Sequence, residues 1–395
     1  MADIKSYTIV TGAYWGFTIT DGALRMLVLL HFYSIGYGPL DLAVLFLLYE
    51  AMGIVTNFFG GWLGARFGLR STLFAGLSIQ ISALVLLAYL PDNLTMAMSV
   101  VYVMGAQALS GIAKDLTKMS SKSAVKLMAP DEGGLLFKWV SLLTGSKNAL
   151  KGLGFFVGGF LLQFVGYFDG LISMAGLLFV LLILTVILLK KEIGKAKAKI
   201  VRRDLFFKSR DINYLSAARI FLFSSRDVWF VVALPLYLAN FGGWVFEGIS
   251  AFMALWIIGY GIVQASVPRF LKNTRDSVSA AKAAKIWGAL LIVMPILIIF
   301  AMDNLYLMLA ELMIFGVVFA FNSALHSYLI VALSDSDKVS LNVGFYYMAN
   351  AVGRFMGTLL SGLIYQYYGM VACLIISSLM VLISVILMRK VQGND

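Results

Sequence analysis

Apolar runs of about 20 residues, separated by short polar breaks, follow one another along the whole chain. They lie near 8–34, 39–65, 71–90, 94–118, 138–165, 169–189, 212–239, 247–267, 283–302, 305–332, 342–367 and 371–389. A run of that length is a helix long enough to cross the hydrocarbon of a bilayer. The pattern predicts an all-α membrane protein with twelve transmembrane helices. Several runs exceed the minimum length, which predicts tilt or extension beyond the hydrocarbon. The opening MADIKSYTIV has no charged region leading to a small-residue cleavage site, so the first run is expected to be retained as a span.

Composition agrees. Apolar residues make up 61% of 395 positions and charged residues 13%, against about 45–50% and about 25% in a soluble globule. The net charge of +11 is not gathered into one stripe of the kind nucleic acid requires. Basic residues sit in short segments between apolar runs, as in loops facing anionic lipid. The connections 35–38, 90–93, 166–168, 240–246, 303–304 and 368–370 contain no Lys or Arg. The opposite set holds Arg66 and Arg70, Lys122 and Lys126, the 190–211 segment, Arg269, Lys272, Arg275, Lys282, Lys338, Arg389 and Lys390. This bias places both termini in the cytoplasm. Cys373 is the single cysteine, so no disulfide or cysteine-based metal site can form within the chain. His31 and His326 have no second ligand nearby in sequence, and no metal or other cofactor is assigned. There is no phosphate-binding G-x-x-x-x-G-K-[ST] loop, no G-x-S-x-G elbow and no H-E-x-x-H pair, so neither ATP-driven pumping nor enzymatic activity is expected.

The chain also resembles itself. The segment KKEIGKAKAKIVRRDLFFKSRD (190–211) is its longest polar stretch and separates a first half, 1–189, from a second, 212–395. TDGALRMLVLLHFY (20–33) aligns with SSRDVWFVVALPLY (224–237), and KGLGFFVGGFLLQFVG (151–166) with RFMGTLLSGLIYQYYG (354–369), at nearly the same spacing. In the second pair Lys151 falls on Arg354 and Gln163 on Gln366. Gly154, Gly159 and Gly166 fall on Gly357, Gly362 and Gly369. Two parallel six-helix pseudo-repeats are the architecture of the major facilitator fold. GGWLGARFGLR (60–70) resembles the cytoplasmic loop pattern of that superfamily, with Gly61, Leu63, Gly64, Arg66, Gly68 and Arg70 in place. Ala65 stands where the pattern has aspartate, which removes the acidic half of the usual latch.

Charge inside a span costs about 2.5 kcal/mol or more at mid-membrane and normally faces protein, water or substrate. The third, sixth, ninth and twelfth spans carry none in their interiors, as expected for the peripheral helices of a major facilitator fold. The other spans carry Asp21, Arg25 and His31; Glu50; Lys114, Asp115 and Lys118; Lys147 and Lys151; Arg219, Arg226 and Asp227; Glu311 and His326; and Arg354. Near mid-span Arg25, Lys147, Lys151, Arg226 and Arg354 outnumber Asp21, Glu50 and Asp227. Lys147 with Lys151, and Lys114 with Lys118, are like charges one helical turn apart, which an anionic ligand relieves. Lys114 and Lys118 read equally as residues snorkelling to the cytoplasmic surface, and Asp21 and Arg25 as a pair within one helix. Asp227 is expected to answer another helix, because adjacent residues point apart. Asp21, Glu50 and Asp227 are candidates for ion coupling, and a carboxylate locked to arginine is the competing reading. The expected ligand is an oxyanion or a small, multiply charged organic anion.

The strings GAYWGFTITDGALRMLVLLHF (12–32), TNFFGGWLGARFGL (56–69), QALSGIAKDLTKMSSKS (107–123) and LLTGSKNALKGLGFF (142–156) resemble the ArsJ family of organoarsenical efflux permeases within the major facilitator superfamily. The resemblance implies export of 1-arseno-3-phosphoglycerate across a bacterial cytoplasmic membrane. It also implies a metabolic partner, a glyceraldehyde-3-phosphate dehydrogenase that makes this compound from arsenate. Such a substrate is multiply anionic. Trivalent arsenic would instead need several thiolates, which one cysteine cannot supply. On this reading Arg25, Lys147, Lys151, Arg226 and Arg354, with Lys114 and Lys118, bind the two oxyanion ends from both halves, and a monomer is expected. An organophosphate or sugar-phosphate carrier is the alternative, and a membrane-embedded enzyme or receptor a more distant one.

Overall fold

A computed structural model describes residues 4–67, 69–91, 93–128, 135–189, 208–270, 277–334 and 339–392, and its regular structure is helical throughout. The first six-run stretch forms α1 (Ile4–Ser34), α2 (Pro39–Leu45), α3 (Leu47–Phe67), α4 (Leu69–Ala88), α5 (Met96–Met128), α6 (Leu135–Phe164) and α7 (Tyr167–Leu188). The remainder forms α8 (Arg210–Phe230), α9 (Ala233–Gly242), α10 (Phe246–Phe270), α11 (Ser277–Ala301), α12 (Leu305–Ala332) and α13 (Val339–Met388). Of the 190–211 connection, residues 190–207 lie outside the described residues.

Local chemistry sets the ends. Pro39 opens α2 with its φ already helical. Asn304 caps α12 by accepting from the amides of Tyr306 and Leu307 at 3.1 and 3.2 Å. The run predicted over 212–239 is broken at Val231 and Val232, between α8 and α9. Pro235 explains the break, since its ring clashes with the carbonyl four residues earlier. The amides of Val232 and Ala233 turn to Ser361 Oγ instead, at 3.2 and 3.1 Å. The two runs predicted at 342–367 and 371–389 both lie in α13, where Gly369 departs from helical geometry at φ 74°.

Nine stretches among the described residues are long and apolar enough to cross a membrane. Many apolar side chains on them are exposed, such as Phe179, Val180, Ile183 and Ile187 of α7. Such a surface suits lipid and not water. Two of the spans expected to be peripheral, α7 and α11, are only 28% buried, whereas the stretch through α8 and α9 is 83% buried. The protein is an integral, multi-pass membrane protein whose described regular structure is helical.

Contacts divide the chain into two compact units, neither of them continuous in sequence. The first comprises Met1–Gly36, Ala51–Ile200 and Val245–Ile258; the second Tyr37–Glu50, Val201–Trp244 and Gly259–Asp395. Helix α2 therefore belongs with the later helices, and the start of α10 with the earlier ones. Within the first unit α1 lies against α6, and a Cβ on Gly154 would come within 3.0 Å of Gly22 Cα. The start of α10 also lies on α6, where a Cβ on Gly159 would meet the Phe246 carbonyl at 2.9 Å. Within the second unit α8 lies against α13, with Ser224 Cα 3.1 Å from a Cβ on Gly357, and α2 lies on the same helix at Gly362. Each glycine aligned in the sequence thus makes the same kind of helix contact as its counterpart. Gly166 and Gly369 share a further role, the positive-φ turn, at 95° and 74°.

Candidate functional site

In the first unit the predicted residues form two groups. Asp21 is buried and Arg25 half-buried on α1, and Lys147 and Lys151 are half-buried on α6. The two helices meet beside them through Trp15 Nε1, which donates to Ser146 Oγ at 3.1 Å. The Lys151 ammonium lies 5.7 Å from the centre of the Phe155 ring.

The second group ties α5 to α3. Asp115, wholly buried, accepts from Thr56 Oγ1 at 2.5 Å, from Asn57 Nδ2 at 3.2 Å and from Lys118 Nζ at 2.6 Å. Lys118 also donates to Asn57 Oδ1 at 2.6 Å. Its ammonium is therefore held in a helix-pairing cluster. Lys114, on the same helix, is half-buried. In the loop motif, Gly61, Leu63, Gly64 and Arg66 fall within α3, with their side chains outside the description, and Gly68 lies outside the described residues altogether. Arg70 sits 5.0 Å over the Phe74 ring.

The second unit holds a line of charge running from α3 through α13 to α8. Arg354 NH2 meets Glu50 Oε1 at 2.6 Å, and Arg354 Nε lies 3.6 Å from Asp227 Oδ2. Arg226 reaches Asp227 Oδ1 through NH2 at 2.5 Å and Nε at 2.7 Å. The expectation that Asp227 answers another helix holds for Arg354. The expectation that it cannot face Arg226 is corrected. The guanidinium stem is long and jointed, so it folds back across the helix surface to the neighbouring carboxylate. Glu50 stands in the first turn of α3, where the helix dipole favours an anion. Both carboxylates are 1% exposed, and each lies against an arginine.

Arg219 counts among the span charges in the sequence but not among the expected site residues, and the structure makes it conspicuous. It is 4% exposed. Its Nε donates to Asn350 Oδ1 at 2.9 Å and its NH1 to the Ser323 carbonyl at 3.2 Å. Its guanidinium lies 4.0 Å over Phe223 and 4.9 Å over Tyr346. Phe223 carries a second guanidinium on its ring, that of Arg226 at 4.9 Å. Among the described residues no carboxylate pairs with Arg219. Spacing alone could not separate it from Arg226, because both occupy the same helix.

A pocket of about 590 Å³ opens in the second unit among Tyr237, Phe241, Met302, Asp303, Gln366 and Met370. It contains none of the predicted site residues.

No protein-family model matches the sequence, and no curated protein matches it either, so the ArsJ resemblance gains no support from them. Solved structures do match. A POT family transporter in complex with a thioalcohol-conjugated peptide superposes with TM-score 0.74 at 12% identity, over 96% of this chain and 94% of that one. A POT family transporter in complex with 5-aminolevulinic acid gives 0.75 at 13% identity, with the same coverage. A bacterial homologue of the iron transporter ferroportin, in its outward-facing state, gives 0.69 at 16% identity over 98% of both chains. At such identities the likeness establishes the fold, which is of the major facilitator type, and these neighbours are transporters rather than enzymes.

Proposed function

We propose that this transporter-fold protein exports an anionic organoarsenical, 1-arseno-3-phosphoglycerate, and thereby confers resistance to arsenate. The observation that carries the anionic class is the set of basic side chains half-buried on the two helices that pack closely in the first unit: Arg25 on α1, Lys147 and Lys151 on α6. Such charges are costly inside a membrane and are kept where an anion or a counter-ion meets them. The arsenical itself rests on the sequence resemblance, and the single buried Cys373 argues against trivalent arsenic as cargo. Without a nucleotide-binding loop, transport is secondary-active, by alternating access. We read twelve spans in two six-helix repeats, with both termini cytoplasmic. The matched roles of Gly154 with Gly357 and of Gly166 with Gly369 favour the duplication.

Arsenate-sensitive cells expressing this chain, with and without a glyceraldehyde-3-phosphate dehydrogenase, provide the test. Protection and lower arsenic retention that require both proteins are expected, and Lys147→Gln and Arg226→Gln should abolish both effects while the protein still reaches the membrane. Absence of protection despite verified insertion sinks the arsenical reading. Uptake or exchange of glycerol phosphates by the same cells would then identify an organophosphate carrier.

A further inference from the structure

Arg219 is a permanently charged group sealed among neutral partners, which is an expensive arrangement inside a membrane protein. Its neighbours hold it without cancelling its charge. An amide oxygen, a backbone carbonyl and two aromatic faces fix the guanidinium in place, whereas Arg226 and Arg354 in the same unit spend theirs on Asp227 and Glu50. Hydrogen-bonding groups suited to oxyanions gather beside it. Ser323, whose carbonyl accepts from Arg219, also accepts at its hydroxyl from Tyr260 Oη at 3.1 Å and Gln264 Nε2 at 3.2 Å. His326, one turn along α12, is 1% exposed and, among the described residues, has no hydrogen-bond partner at Nδ1. A buried imidazole nitrogen left in that condition is a position waiting for a donor or acceptor from elsewhere.

The sequence repeat adds an independent reason. At the spacing that sets Lys151 on Arg354, Lys147 falls on Asn350, the amide partner of Arg219. One of the positions read as anion-binding on α6, Lys147, thus corresponds to a residue that holds Arg219 on α13.

We propose that Arg219, with His326 and the Tyr260–Gln264–Ser323 group, is a subsite of the second unit for the phosphate-type oxyanion of the transported molecule. The proposal rests on the anionic reading given above and sharpens it. A guanidinium presents paired donors to two oxygens of such a group, which an ammonium cannot do. Entry of the anion requires α12 or α13 to part from α8, within the range of helix movements in alternating access.

The test is binding of 3-phosphoglycerate and of inorganic phosphate to the full-length protein in detergent, at fixed ionic strength, by calorimetry. Wild-type protein is expected to bind 3-phosphoglycerate, and Arg219→Met to weaken it about tenfold or more without loss of thermal stability. Arg210→Gln, at an exposed position on α8, should leave affinity unchanged. If wild type binds and Arg219→Met binds equally well, the subsite is refuted while the anionic reading stands. If folded wild type binds neither probe, the anionic reading fails and the subsite with it. Should Arg219→Met prove unstable, Arg219→Lys decides. Wild-type affinity in the lysine variant would mean that only charge matters and would overturn the paired-donor contact; a several-fold loss in a stable protein supports it.

Discussion

The ion pair between Glu50 and Arg354 makes a demanding test of the second unit. Glu50 is 1% exposed and Arg354 16%, with 2.6 Å between the charged atoms. Removing one member of such a pair costs about 3–5 kcal/mol, because the remaining charge stays buried. Arg354→Met should show the larger effect. It deprives Glu50 of its guanidinium and takes away the second arginine near Asp227, which keeps only Arg226. Glu50→Gln should cost less, since Asp227 remains 3.6 Å from Arg354. Replacing both residues together removes charge of both signs and should recover most of the loss, as buried pairs exchanged for neutral groups often do. One kcal/mol moves the melting temperature by about 2–4 °C in a domain of this unit's size, so the single Arg354 variant should fall on the order of 10 °C below wild type. Tryptophan fluorescence during heating in detergent reads this directly, with Trp229 and Trp256 fully buried as reporters. Single variants within about 2 °C of wild type, or a double variant no better than the worse single, would refute the reasoning.

Two further outcomes follow from packing. Thr56→Val keeps shape but removes a 2.5 Å hydrogen bond to the Asp115 carboxylate, and should lower stability by about 1.5–3 kcal/mol in the same heating assay. Gly158→Ala would press a methyl against Ala23, whose Cα would lie only 2.9 Å from the added carbon, and should destabilise by about 1–3 kcal/mol; Gly176→Ala, with open space around it, should be neutral or slightly stabilising.

The helices were legible because an apolar run must hide its backbone polar groups in lipid, and a helix does so locally. The aligned glycines were legible because close helix approach tolerates nothing larger. Where two predicted runs share α13, the sequence still marked the joint, at Gly369. What escaped the sequence was tertiary. That α2 belongs with the later helices depends on a helix surface meeting another far along the chain, as Leu40 N does with Gln366 Oε1 at 3.0 Å. The Arg226–Asp227 contact escaped because helical periodicity describes Cβ directions and says little about the tip of a long side chain. Arg219 escaped because its distinction is what surrounds it: Asn350, Ser323 and Tyr346 come from two other helices. Pro235 could have announced the break between α8 and α9, but the hydroxyl that relieves it, from Ser361, could not be foreseen.

The turn at Gly369 has a practical consequence for mapping which side of the membrane each connection faces. It breaks helical geometry at a single residue, so an epitope, a glycan acceptor or a protease site inserted there would have to disturb the helical segments on both sides of it. Reporters inserted at that point would register damage to this joint rather than sidedness. The connection after α4 is the better station, since Asn93 is exposed. Cys373 is wholly buried, so a thiol introduced at Asn93 could be labelled against a silent background.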